Sequence, residues 1–441
     1  MHNHHGINRR IRAFSIAVLL SFTATGAGAA GFALIEQSVS SMGNAYAGSG
    51  AIAQDASTVF FNPASMARLE GNQLSAGLHI VLPNSEFQGS AAVNDPLAAF
   101  GADGDPISGS NGGNGGETGV VPHFTYVRAV DERWKVGVGV NVPFGLSTKY
   151  NNDWLGRYSA TESEIITVNI NPTVSFRIDE HASIGFGVSA MYAKLILKNA
   201  IDFGLLGGGA TGTADGKADL DVDDWGFGFN MGLLLEPTEH TRLSIAYRSK
   251  VDVKLDDDVT ITGPSPSRQG ARADVSLPNT VSLGAYHEVN PRWAIMADIT
   301  WTQWSKIDAL VARFDDGSSN TIPLMWEDTV RTAVGASYKY DDAWTLRTGL
   351  AFDESPVLNA NFRPAALPDD DRIWLTFGAG YKYSDRLSID IGYAHLFIDD
   401  PQINSTDAAS SAVGLPEGLH RLTGEFDADT DIISAQANWK F

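Results

Sequence analysis

Arg331, Arg347, Arg372 and Lys382 fall at positions that a two-residue period turns to one side of neighbouring strands ten to twelve. A guanidinium fork matches a carboxylate bidentately, so such a row could hold an acidic ligand. Arg157, in "WLGRYSA", could join it. Asp298, Asp328, Asp353 and Asp390 share those faces, and the competing reading is a solvated network in which acids neutralise the cations. Signals for catalysis are missing: there is no G-x-S-x-G and no H-E-x-x-H, and no Ser–His constellation assembles. Gly207, Gly209 and Gly212 make a formal G-x-G-x-x-G, but "ADGKADLDVDD" follows where a dinucleotide site needs a periodic helix. "GSNGGNGGETG" lacks the Lys-Ser/Thr of a phosphate loop. The acidic triplets Asp256 to Asp258 and Asp369 to Asp371 read as solvated loop charge before they read as a cation site. The expectation is no enzyme, no cofactor and no metal.

Such side chains need elements to aim them, and alternation dominates the chain. Leu74, Ala76, Leu78, Ile80 and Leu82 interleave with Gln73, Ser75, Gly77 and His79. Trp225, Phe227, Phe229, Met231, Leu233 and Leu235 interleave with Gly226, Gly228, Asn230 and Gly232. Followed to Ile433, Ala435, Ala437, Trp439 and Phe441, the period of two predicts fourteen strands. Tight polar turns such as "VDERW", "VNPRW" and "DDAW" alternate with long connections at 84–119, 147–162, 198–223, 256–274, 305–325, 353–371 and 398–425. Short inner turns and long outer loops belong to a membrane barrel, and an even strand count puts both ends in the periplasm. The fold class is all-β: a 14-stranded antiparallel transmembrane β-barrel, wet inside and greasy outside, whose closed ladder satisfies every backbone group in hydrocarbon. A soluble sandwich or solenoid is disfavoured, because no fixed repeat is visible.

Composition excludes other classes. With 441 residues, a formal charge of −21 and 10% aromatic content, the chain is neither disordered nor a nucleic-acid binder, which would need a basic face. It has no cysteine, hence no disulfide framework or thiolate chemistry. Arg9, Arg10 and Arg12, the uncharged stretch 13–22 and then Ala27, Gly28 and Ala29 read as a secretory signal peptide over 1–29. That apolar run is shorter than the roughly 20 residues a spanning helix needs. Residues 30–71 are rich in Gly, Ala and Ser, carry no strand of barrel length, and suit a hatch that fills a lumen; 72–441 form the barrel. Within the hatch segment, Asn62, Pro63 and Ala64 stand out: Pro63 cannot continue a ladder, and Asn62 can cap the turn.

The stretches "AGFALIEQSVSSMGNAYAGSGAIAQDASTVFFNPASM", "VPFGLSTKYNNDWLGRYSATESEI", "LPNTVSLGAYHEVNPRWAIMADITWTQWS" and "LPDDDRIWLTFGAGY" resemble the outer-membrane long-chain fatty acid transporter family, which includes aromatic-hydrocarbon transporters. The similarity runs from Ala30 to Phe441. It implies a hatch-plugged barrel with an external apolar groove, a lumenal pocket, and a kinked third strand that opens sideways. Pro143 and Gly145, ending strand three, can bend a strand or open its pairing. Leu97 and Phe100 in the first long loop, with Ile201, Phe203, Leu205 and Leu206 in the third, are groove candidates or else small loop cores. The expected function is passive uptake of a hydrophobic small molecule, foremost a long-chain fatty acid, by an outer-membrane monomer partnered by that ligand and by membrane lipid. Transport of aromatic or alkane hydrocarbons, an aqueous porin and an outer-membrane lipid hydrolase are the alternatives.

Overall fold

Residues 31–95, 98–410 and 418–441 are described by the computed structural model; the expected leader at 1–29 and Leu97 lie outside them. Among these residues no helix is long and apolar enough to cross a membrane. Strands do so instead. They are β1 (Gln73–Val93), β2 (Gly119–Ala129), β3 (Trp134–Asn141, resuming as Gly145–Lys149), β4 (Glu162–Arg177) and β5 (Ala182–Asp202). Next come β6 (Asp215–Thr238), β7 (Thr241–Arg248, then Val251–Thr262), β8 (Ser267–Leu277, then Thr280–Glu288), β9 (Trp293–Thr302, then Ala309–Phe314) and β10 (Ser319–Pro323, then Thr329–Lys339). The last four are β11 (Trp344–Asp353), β12 (Arg372–Lys382), β13 (Leu387–Ile398) and β14 (His420–Lys440). Each pairs antiparallel with its sequence neighbour, and β14 returns to β1 from Gln73↔Lys440 to Val93↔His420, closing the barrel.

Three of the inner turns share one local motif. Asp131 Oδ1 accepts the N–H groups of Arg133 and Trp134 at 2.8 and 2.7 Å. Asn290 does the same for Arg292 and Trp293, and Asp341 for Ala343 and Trp344. The side chain reverses the chain and delivers a Trp to the start of β3, β9 and β11. There Trp134, Trp293 and Trp344 pack on Phe176, Tyr338 and Tyr381 with ring centroids 4.6–4.7 Å apart, an aromatic girdle at the membrane boundary.

The outer halves differ from expectation. β1 and β14 stay paired up to Val93, and β5 and β6 pair from Ala182↔Leu235 to Asp202↔Asp215. Strand therefore occupies 84–93 of the first long connection and about half or more of 198–223, 256–274 and 398–425. Beyond the apolar band both faces of a hairpin meet water or loop, so the ladder persists while the apolar period that signals it disappears. Polarity is inverted as expected: Phe227, Phe229 and Met231 are exposed on the outer face, while Asn171, Asn230 and Thr376 are buried inside.

Residues 31–71 lie in the lumen as short helices α1 (Val39–Met42), α2 (Ser49–Ile52) and α3 (Thr58–Phe61), then a 3-10 turn at Pro63–Arg68. Helices this short leave most of their terminal groups unpaired, and the barrel wall supplies partners. Arg242 donates to Ile52 O at 2.6 Å, Arg248 to Phe60 O at 2.7 Å, Arg177 to Ala67 O at 2.6 Å and Arg331 to Ala45 O at 2.9 Å. Asn62 N-caps the 3-10 turn through Ala64 N–H at 3.0 Å and donates to Gly50 O and to Leu233 O on β6, both at 3.1 Å. A Cβ on Gly232 would collide with Asn62 Oδ1, and one on Gly185 with the Pro63–Ala64 backbone, so these glycines make the socket for the Asn-Pro-Ala turn.

Candidate functional site

The wall of the barrel is interrupted in the third strand. The β2–β3 ladder ends at Phe124↔Val140, and β2 from His123 to Gly119 is paired with β1 alone. Across 142–144, where Pro143 offers no N–H, the hatch supplies the missing partners. Leu34 N–H donates to Pro143 O at 2.8 Å, and Gly145 N–H to Phe32 O at 2.9 Å. Gln37 brackets Val142, donating to its O at 2.7 Å and accepting from its N–H at 3.3 Å. Pro143 and Gly145 thus flank a gap between strands that residues 32–37 seal.

Three cavities follow one another from the outer loops to this gap. The outer one, about 380 Å³, is lined by Ile201, Phe203, Leu206, Asp202 and His420. It shares Tyr158, Asn199, Phe314 and Asn320 with a lumenal cavity of about 200 Å³ walled by Leu195, Leu220, Leu255, Leu277 and Ile322. Phe32, Trp304 and Trp326 form the inner end, with Phe32 to Trp304 at 4.9 Å and Trp304 to Trp326 at 5.3 Å. Phe144, at the kink, packs on Phe32 at 5.9 Å. Beyond this aromatic partition lies a cavity of about 140 Å³, lined by Pro143, Phe144 and Trp304 and by Arg248, Arg331, Asp298 and Asp353.

The cations separate. Arg331 Nε is 3.9 Å from Asp353, and its Nε and Nη1 lack hydrogen-bond partners, as does Nη1 of Arg248. Both face the inner cavity. Arg347 is tied to Asp390 at 2.7 Å, and Arg372 to Asp369, which also accepts Gly31 N–H of the hatch at 2.7 Å. Lys382, expected inward, sits half-exposed at the periplasmic mouth on Asp385 at 2.7 Å, because strand-end side chains splay toward water and a turn acid. Asp328 is exposed and accepts Ser305 N–H. Arg157 does not join the row: it is a loop residue bonded to Asp215 at 2.9 Å and to the carbonyls of Ser108 and Trp154. Among the groove candidates, Ile201, Phe203 and Leu206 line the outer cavity, whereas Leu205 and Phe100 pack into a loop core around Trp154. Arg248 and the Phe32–Trp304–Trp326 partition escaped sequence reading; Trp304, just past an alternating run, breaks the period and was the available signal.

Other chemistry is accounted for locally. The acidic triplets bond arginines: Asp256 holds Arg272, Asp258 holds Arg268 and Asp370 holds Arg363. One group has metal-ligand character among the described residues: His395, Asp429 and Asp431, on the outer wall, with ligand atoms within 4.8 Å of one another. Ser434 Oγ and His79 Nδ1 lie 2.7 Å apart, but His79 is fully buried and no carboxylate bonds it.

The sequence profile of the family described as "Outer membrane protein transport protein (OMPP1/FadL/TodX)" matches residues 20–441. The chain belongs to this family. Its relatives include the "Long-chain fatty acid transport protein" of Salmonella typhi, 31% identical over 416 residues, covering 88% of this chain and 92% of the relative. A Pseudomonas aeruginosa FadL homologue superposes with a TM-score of 0.85 at 24% identity over 93% of this chain and 100% of that one. The toluene transporter TbuX of Ralstonia pickettii does so at 0.62 and 19%, over 87% and 94%. This FadL-family protein is therefore an outer-membrane transporter of hydrophobic compounds, and its lipid-facing band lies in the outer membrane of a Gram-negative cell.

Proposed function

We propose that this FadL-family barrel carries long-chain fatty acids passively and as a monomer. A ligand enters among the loops, fills the apolar lumenal cavity, passes the Phe32–Trp304 partition and leaves sideways where β2 and β3 part. A shift of hatch residues 32–37 opens both the partition and the gap, since the same short segment contributes to each. The observation that carries the reading is the inner cavity: its mixed wall of aromatic residues, threonines, Asp298 and Asp353 also holds two guanidinium groups with spare N–H groups that no protein atom accepts. A buried donor without a partner costs about 1–3 kcal/mol, and a ligand carboxylate supplies the missing acceptor. Toluene-like ligands have no such group, which favours fatty acid over hydrocarbon.

Replacing Arg248 by Gln, or Arg331 by Gln, is expected to weaken binding of a long-chain fatty acid at least about tenfold and to leave an alkane of equal length unaffected. Isothermal titration of both ligands measures this. Equal loss for the two ligands, or none for either, sinks the carboxylate assignment.

A further inference from the structure

The outer and lumenal cavities meet beside a latch built from two loops and the outer ends of β5 and β14. Tyr158 lines both cavities, and its ring stacks on His420 with centroids 3.9 Å apart and planes at 20°. His420 is held on both sides: Nδ1 lies 2.7 Å from Asp407 Oδ2 and Nε2 3.3 Å from Asp202 Oδ2. Asp407 also accepts the His420 backbone N–H at 3.0 Å. Asp202 accepts Leu205 N–H at 2.9 Å and so caps the turn carrying Phe203 and Leu206 of the outer cavity. Tyr158 is fixed at its other end, where its hydroxyl donates to Asp215 at 2.9 Å and accepts from Arg157 at 3.0 Å.

We propose that the Tyr158–His420 stack, pinned by Asp202 and Asp407, is the outer gate of the transport path, and that its closure governs how fast an apolar ligand reaches the lumenal cavity. This builds on the uptake reading above. The geometry has the parts a gate needs. The ring stands where the two cavities meet, its partner comes from the outer end of β14, and every side-chain polar atom at the contact is bonded in the closed arrangement. A chain of charge-assisted bonds costs more to break than apolar packing of the same area, so the gate is closed at rest. His420 lies far outward of Ile433, the last lipid-facing apolar residue on β14. Burial alone would favour its neutral form, but the bonds to Asp202 and Asp407 outweigh burial and raise its pKa to about 9. It is thus an imidazolium at neutral pH, facing Asp202, Asp407 and Tyr158, with Arg157 and Asp215 one shell away.

The chain contains no cysteine, so a single Ala193→Cys, buried in the wall of the lumenal cavity, reports ingress without a transported ligand. N-ethylmaleimide is added to the purified full-length protein, and the labelling rate is followed by mass spectrometry. In the Ala193→Cys background, His420→Ala and Tyr158→Ala should each label about tenfold faster or more, the loss expected for one charge-assisted bond. Asp407→Asn, the mildest change, should follow in the same direction and serves if the alanine variants lose the heat-resistant folded band. Lys382→Ala, at the opposite mouth, should label at the parent rate. Equal rates for parent and latch variants overturn the gate, as does an equal acceleration by Lys382→Ala. Because the readout needs no fatty acid, a protein that gates maleimide but binds no fatty acid sinks only the uptake reading.

Discussion

Replacing Gln37 by Ala isolates the seal between hatch and kinked strand. Gln37 is fully buried, and its amide makes two bonds to the Val142 backbone, at 2.7 and 3.3 Å, with a third contact to Leu34 O at 3.4 Å. A typical intramolecular bond contributes about 1 kcal/mol net, and a buried group left without a partner costs about 1–3 kcal/mol. Val142 is 4% exposed, so water does not take over freely. The seal should weaken by about 2–4 kcal/mol, which raises the population of the released segment roughly 30- to 700-fold. No barrel ladder bond involves the Gln37 side chain. Native-state amide exchange by mass spectrometry should therefore show the Leu34 and Gly145 amides exchanging about two orders of magnitude faster, with the β1–β14 closure still protected. Unchanged exchange at Leu34 and Gly145 refutes the seal, and so does an equal loss of protection along β1–β14, which would mean global unfolding.

Gly232→Val should drive the Asn-Pro-Ala turn off its socket and cost about 1–3 kcal/mol as an overpacking effect, read as a lower thermal midpoint with the strand content of the folded barrel unchanged. An unaltered midpoint would mean that the turn yields without cost. Stability also carries a pH signature from the latch. His420 is raised from 6.5 to about 9, so its contribution, about 3 kcal/mol by linkage, is complete below pH 6.5 and fades as pH rises through 9. Burial would raise the Asp202 pKa, but its bonds from His420, Thr211 and Leu205 N–H bring it to about 2, so its share is present above pH 3.8 and fades as pH falls through 2. The unfolding free-energy difference between parent and His420→Ala, followed from pH 5 to 10, should shrink by about 3 kcal/mol toward the alkaline end, leaving the share from the ring stack; a flat difference contradicts the ion-pair account.

Strand number, inverted polarity and the strandless first segment were legible in the sequence because each rests on a local rule. Side chains alternate along any strand, lipid demands an apolar residue at every second position, and Pro63 cannot donate to a ladder. The Asp131, Asn290 and Asp341 turns are equally local, since each side chain bonds amides two and three residues away. What alternation could not decide is which inward charge meets which partner. Arg347 and Arg372 share a face with Arg331, yet Asp390 and Asp369 bond the first two directly, while Arg331 stands 3.9 Å from Asp353 and lines a cavity together with Arg248. That difference depends on the hatch, whose contacts bridge hundreds of residues of chain, as from Ala45 to Arg331. The same holds for His420, whose imidazole meets Asp202 at the outer end of β5, 218 residues earlier. A period of two assigns a side chain to a face, but only closure of the barrel around its hatch sets the distance between charges, and distance decides whether an arginine is neutralised or left available to a ligand.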